Sequence, residues 1–265
     1  MKSLYKKIRI LFILGILTSF SSLSAQSKTL PYPIWGQSLG VYNAVYISGE
    51  VKDYRDSSDY GRNRKISLDA EMKLGNYFSV TAGYGYVDQY FTQSTSWSGW
   101  DRWKAGMKAY YKFGIFSLGA GVSVFGPSVS EPWTGERNPD FLLARPQLGF
   151  GLDFGRWKFQ AYALYERERD SQWKEPIQEK HYRYMEAGGT LSYETEIGLI
   201  LLMETTYRMA VEDTVSARSD SFNLHPGVQI PLGENGRFVL GGLIGMREKN
   251  TYDQGFKIGY QHFFP

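Results

Sequence analysis

The chain has no cysteine and only three histidines among its 265 residues. Without cysteine it has no disulfide framework, no zinc–thiolate site, no thiol nucleophile and no acylated lipoprotein cysteine. Past residue 20 no run approaches the ~18–20 consecutive apolar residues that a membrane-spanning helix requires. Neither sign of charge dominates, with 30 Lys and Arg against 27 Asp and Glu, so nucleic acid is not expected as a partner. The hydrophobic fraction of 42% is too high for a disordered chain. What the chain does have is aromatic side chains (20 Tyr, 16 Phe and 7 Trp) and 29 glycines.

Residues 1–25 read as a signal peptide. Lys2, Lys6, Lys7 and Arg9 make a basic start, and Ile10 to Phe20 is apolar but too short to span as a helix. Leu23-Ser24-Ala25 is the expected cleavage site. Loss of four basic residues takes the net charge from +3 to −1, so the apparent basicity belongs to the signal. Export without cysteines suits a bacterial envelope protein. Residues 26–37 are expected to be a periplasmic lead-in, and 38–265 a single domain.

That domain has a rhythm. Turn signals occur at Gly75, Gly114, Gly155, Glu196 and Asn235, spaced 39, 41, 41 and 39 residues apart. Longer polar segments fall between them. In the stretches that remain, side chains alternate with period two, as a strand with one apolar face must. From Lys65 to Leu74, Ile66, Leu68, Ala70, Met72 and Leu74 share one face. Lys65, Ser67, Asp69, Glu71 and Lys73 share the other. The spacing predicts twelve strands: 38–51, 64–74, 77–90, 101–113, 115–126, 140–154, 156–167, 181–194, 197–211, 221–232, 237–247 and 253–264. Ordinary globular strands run about 5–6 residues, whereas a tilted strand that crosses a bilayer needs about 9–11.

These features predict an all-β fold, a transmembrane antiparallel up-and-down β-barrel of about twelve strands. Lipid cannot satisfy polar groups, so such a barrel is apolar outside and polar inside. Aromatic residues cluster at both strand ends, as interfacial girdles do: Tyr77, Phe113, Phe154 and Trp157 at the tight turns, Tyr86, Trp100, Trp103 and Tyr207 toward the longer connections. An even strand number puts both termini on the side of the short turns. That side is expected to be periplasmic, with the longer loops extracellular. The chain resembles a bacterial outer-membrane β-barrel protein of porin-like type. Its last strand, Lys257-Ile258-Gly259-Tyr260-Gln261-His262-Phe263-Phe264, is similar to the C-terminal assembly signal of that family. It departs from the family pattern at His262 and in having Pro265 after the aromatic. The resemblance implies an outer-membrane location, lipid contact and insertion by the barrel assembly machinery.

No G-x-S-x-G, H-E-x-x-H or phosphate-loop motif is present. Ser221 and Asn223 stand near His225, but the local motifs of outer-membrane phospholipases are missing. Asp53, Asp56 and Asp59 share a loop region with Arg55, Arg62, Arg64 and Lys65, which compete with any cation. No catalytic, cofactor or metal residue is therefore assigned. Alternation instead points a set of polar residues inward: Lys104, Lys108, Lys112, Arg145, Arg156, Lys158, Asp69, Glu71, Glu204, Arg208 and His225 are the candidate lumen-lining residues. Lys104, Lys108 and Lys112 form a ladder that either favours a small anionic solute or is neutralised by Asp69, Glu71 and Asp153. Inward glycines, among them Gly119, Gly149 and Gly151, leave space in the lumen. The expected function is a small passive channel or transport-associated protein with a charged lumen. The alternatives are a closed structural or surface-interaction barrel, and a membrane-embedded lipid hydrolase.

Overall fold

The computed structural model describes residues 30–55, 60–92, 96–127, 142–169, 183–211, 220–247 and 251–265. The expected signal peptide, residues 1–25, and the loop residues Asp56, Asp59, Trp133 and Trp173 lie outside them. Among the described residues thirteen strands are formed: β1 (Ala44–Arg55), β2 (Tyr60–Leu74), β3 (Phe78–Phe91), β4 (Trp97–Trp100), β5 (Lys104–Phe113), β6 (Phe116–Phe125), β7 (Leu142–Phe154), β8 (Trp157–Arg169), β9 (Arg183–Glu194), β10 (Ile200–Ala210), β11 (Ser221–Leu232), β12 (Gly236–Arg247) and β13 (Thr251–Phe263). The strands pair antiparallel in chain order, except that β4 and β5 both pair with β3, and β1 pairs with β13 from Ala44↔Phe263 to Arg55↔Tyr252. The sheet therefore closes on itself through the β1–β13 pair, which is what lipid demands of a spanning sheet.

Twelve staves are made from thirteen strands because one stave is interrupted. Both β4 and β5 pair with β3, through Tyr86↔Trp100 and Gly83↔Lys104. Three residues, Asp101 to Trp103, therefore oppose two, Tyr84 and Gly85. This is a bulge, with the Asp101 amide donating to the Gly85 carbonyl at 2.9 Å. The expected strand 101–113 thus begins at Lys104, and its stave continues past the bulge as residues 97–100. The extra residue turns both Trp100 and Trp103 outward, although their spacing would put them on opposite faces of a regular strand.

The outer face is the apolar one, with Ile66, Met107 and Leu148 all more than half exposed. Inward positions Gln160, Glu166, Glu204, Gln229 and Gln261 are each 1% exposed. Five tight turns gather at one end, each with a glycine at positive φ: Gly75, Gly114, Gly155, Gly198 and Gly233. No side chain is tolerated there as well as none, and these glycines fall at or within two residues of the five turn signals seen in the sequence. Pro146 and Pro226, which lack an amide to donate, interrupt the β7–β8 and β11–β12 ladders.

The first strand starts six residues later than expected, at Ala44 rather than 38. Residues 30–43 form no strand and lie inside the barrel. This corrects the expected periplasmic lead-in over residues 30–37. Residues 26–29 fall outside the described range.

Candidate functional site

Leu30 to Asn43 is a re-entrant loop. It contacts inward side chains from strands on all sides of the barrel. Pro31 and Pro33 suit neither strand nor helix interior, and Leu30, Ile34, Leu39 and Val41 are too apolar to be left in water. The loop closes on itself where the Tyr42 hydroxyl donates to the Leu30 carbonyl at 2.5 Å. It enters and leaves at the tight-turn end. Leu30 lies against Gly151, near the β7–β8 turn, and Trp35 at the loop tip reaches Gly241, five residues into β12. At about 3.4 Å per residue and a tilt near 40°, that is about 13 Å, or half the height of the apolar band.

Polar side chains of the wall hold the loop by its backbone. Glu204 on β10 accepts three amide hydrogens, from Ile34 (2.6 Å), Trp35 (3.0 Å) and Gly36 (2.7 Å). The Gln160 and Gln229 amides donate to the carbonyls of Pro31 (2.9 Å) and Tyr32 (2.5 Å). Lys108 donates to the Gly40 carbonyl at 2.7 Å, and the Tyr42 amide donates to Glu71 at 3.0 Å. A buried backbone that forms no ladder must find such partners elsewhere.

Apolar packing seats it as well. Ile34 clusters with Ile200, Leu202 and Val239, while Leu30, Leu39 and Val41 cluster with Tyr110, Tyr162 and Leu164. The inward glycines serve this packing. A Cβ at Gly119 or Gly149 would strike Leu39, one at Gly151 would strike Leu30, and one at Gly227 or Gly241 would strike Ile34. The space that these glycines leave is filled by the loop. Trp35 stacks on His225 (ring centroids 5.3 Å apart), with the Lys52 and Lys257 ammonium groups 5.0 and 5.3 Å from its ring.

The lysine ladder exists and is matched rung by rung. Lys104 lies 3.3 Å from Asp69, Lys108 2.7 Å from Glu71 and Lys112 2.6 Å from Asp153. Lys158 lies 3.5 Å from Glu194. Toward the long-loop end Glu166 accepts from both Arg145 and Arg208. Lys65 meets Asp101 at 2.5 Å, and Glu50 lies between Lys52 (3.2 Å) and Lys257 (3.7 Å). Ten of the eleven candidate residues therefore lie in the lumen. Arg156 does not. It stands in the β7–β8 turn, exposed and paired with Glu196 at 3.1 Å, because β8 begins at Trp157, one residue later than the alternation suggests.

His225 bonds Thr206 at 3.3 Å, and Asn223 donates to the same hydroxyl. Ser221 is four residues further along β11, about 13 Å away at strand rise, so no hydrolase constellation is assembled there. Asp53 is held by Arg62 through two bonds of 2.7 and 3.0 Å. The loop residues 30–43 are the element of the candidate site that sequence reasoning missed. Their signal was an apolar, proline-bearing segment just before the first strand, and a lumen with more glycine than a polar wall requires.

No family model and no curated relative matches the sequence. The fold is shared with solved structures. An outer-membrane channel from Pseudomonas putida F1 matches with a TM-score of 0.59 at 11% identity, covering 89% of this chain and 100% of that one. The NanC porin matches at 0.56 with 10% identity, covering 83% and 99%. The KdgM porin in complex with disordered oligogalacturonate matches at 0.52 with 12% identity, covering 84% and 99%. The protein is a twelve-stave β-barrel of the bacterial outer-membrane type. At these identities the common property is the fold, and no subfamily is singled out.

Proposed function

We propose that the protein is a small outer-membrane channel for polar solutes, oriented with its tight turns toward the periplasm and closed at rest by its own residues 30–43. The observation that carries this reading is the loop itself. It fills the tight-turn half of the lumen, while the other half keeps a polar, charge-lined wall. The likeness to channels supports the transport class, and the oligogalacturonate of the KdgM complex makes anionic saccharides sensible first solutes to assay. The matched ladder of lysines means that any anion preference is weak. Transport then has no chemical step. Solute diffuses past paired charges once the loop yields.

The absence of cysteine makes a clean test available. A Cβ built at Gly119 lies 3.3 Å from the Leu39 Cβ, close to the span of a disulfide. The doubly substituted L39C/G119C protein, refolded and placed in planar bilayers, is expected to stay silent when oxidised and to show openings when reduced. Equal conductance in both states overturns the gate. A folded barrel that is silent in both states overturns the channel, and leaves a closed structural barrel as the reading.

A further inference from the structure

Three polar groups meet at the loop tip without a hydrogen-bond partner among the described residues. Two are the indole nitrogen of Trp35 and Nδ1 of His225, both buried. The third is the ammonium of Lys257. It lies 3.7 Å from Glu50, too far for a hydrogen bond, and 5.3 Å from the rings of Trp35 and Tyr46. Other inward lysines are held differently. Lys65, Lys104, Lys108 and Lys112 each hydrogen-bond a carboxylate, at 2.5 to 3.3 Å. Glu50, moreover, lies closer to Lys52, at 3.2 Å.

The three are neighbours. Trp35 stacks on His225, and its indole nitrogen lies 2.6 Å from where a Cβ would stand on Gly241, the direct cross-strand partner of Lys257. Asn223 donates to the Thr206 oxygen, whose own hydrogen then serves His225 Nε2 and leaves the ring proton on Nδ1. Three donors therefore converge, and what they lack is acceptor oxygen. A buried donor without an acceptor disfavours the state that buries it. The Lys257 side chain keeps 13% of its surface exposed inside the barrel, so it is the group that a solute reaches first, and the two ring nitrogens become available only as Trp35 moves. We propose, building on the channel reading, that Lys257, Trp35 and His225 form a latch that a carboxylate-bearing solute releases. The carboxylate takes the Lys257 ammonium and weakens the hold of that cation on the Trp35 ring. It also gives the indole N–H the acceptor that the closed position denies, so Trp35 leaves its seat on His225 and the solute opens its own path. A neutral saccharide has no charge to offer the ammonium and leaves the latch closed.

The mature protein in detergent micelles tests this without reference to conductance. Calorimetry reads the binding of trigalacturonate. Hydrogen–deuterium exchange reads the seating of the tip, at the amides of Ile34, Trp35 and Gly36 that Glu204 holds. Trigalacturonate is expected to bind, less tightly as salt rises, and to speed exchange at these amides about tenfold, while maltotriose does neither. K257Q is expected to lose affinity about tenfold or more, together with the exchange response. R156Q, in a turn outside the lumen, keeps both. W35F keeps the stack but lacks the N–H, and is expected to bind about threefold to tenfold more weakly. It carries the test if K257Q does not fold, which heat-modified gel mobility reports. Undiminished binding in K257Q, or in W35F where K257Q does not fold, overturns the proposal. So does an equal response to maltotriose, or binding that leaves exchange unchanged. Failure of the channel is a separate outcome: a protein that binds and responds while its L39C/G119C form is silent in both redox states keeps the latch and loses the channel, whereas openings on reduction without trigalacturonate binding overturn the latch alone.

Discussion

The two halves of the lumen are built on different principles. At the tight-turn half the wall carries inward apolar residues, Ile200, Leu202 and Val239, and glycines that admit Leu30, Ile34 and Leu39. At the long-loop half it carries pairs of opposite charge, such as Lys65–Asp101 and Arg145–Glu166–Arg208. The first wall is shaped for a piece of protein. The second resembles the lining of an aqueous path. A polar wall facing water needs no close complementarity, whereas a wall facing packed side chains must match them in volume. The presence of both in one barrel argues that residues 30–43 belong to the folded structure and are not a chance tenant.

Glu204→Ala should weaken that distinction most. It leaves three loop amides, that of Ile34 buried and those of Trp35 and Gly36 partly so, without this acceptor, at a cost of up to about 1–3 kcal/mol each, and replaces the anchor of the loop tip with a small cavity. The expected outcome is a folded barrel with frequent openings in planar bilayers. A silent, folded variant would mean that apolar packing alone keeps the loop in place.

Lys108→Met probes where the halves meet, since Lys108 bonds both Gly40 of the loop and Glu71 of the wall. Removing one member of a buried pair leaves the other uncompensated, at a cost of about 3–5 kcal/mol. Thermal or urea unfolding in detergent should register most of this loss. An unchanged transition would show that Glu71, which also accepts from Ser79 at 2.6 Å and from the Tyr42 amide, is satisfied without the lysine.

Arg145→Gln addresses the long-loop half alone and should have the smallest effect. Glu166 keeps Arg208, so the fold is retained, but one positive charge leaves the lumen. In a salt gradient the reduced form of the disulfide-clamped protein, carrying this change, should shift about two- to fivefold toward cations in permeability ratio. No shift would place the solute path away from this wall.

Much of this architecture was legible in the residues. Strict alternation from Lys65 to Leu74 can satisfy only one buried or lipid-facing surface, and the structure has it as read. Three of the five turns were legible at glycines that take positive φ, Gly75, Gly114 and Gly155, and the other two at Glu196 and Asn235, each two residues from such a glycine. Asp101 to Trp103 was not legible as a bulge. A one-residue insertion changes the facing of Trp100 without changing its local composition, and it is defined only by the partner strand β3. Arg156 failed for a related reason, since a shift of one residue at a turn moves a side chain from the lumen to the rim.

Period, turn chemistry and strand length determined by themselves that the chain is a twelve-stave barrel with an apolar outside, because these are local constraints repeated along the backbone. Three matters were decided by tertiary structure alone: that Lys108 has Glu71 as its own counter-ion, that Glu204 binds a loop rather than a cation, and that the glycines of β6, β7, β11 and β12 admit Leu30, Ile34 and Leu39. Each pairs residues from 37 to 170 positions apart in the chain or joins several strands at once. No local period encodes such a meeting. It follows only when the sheet closes and the interior has to be filled.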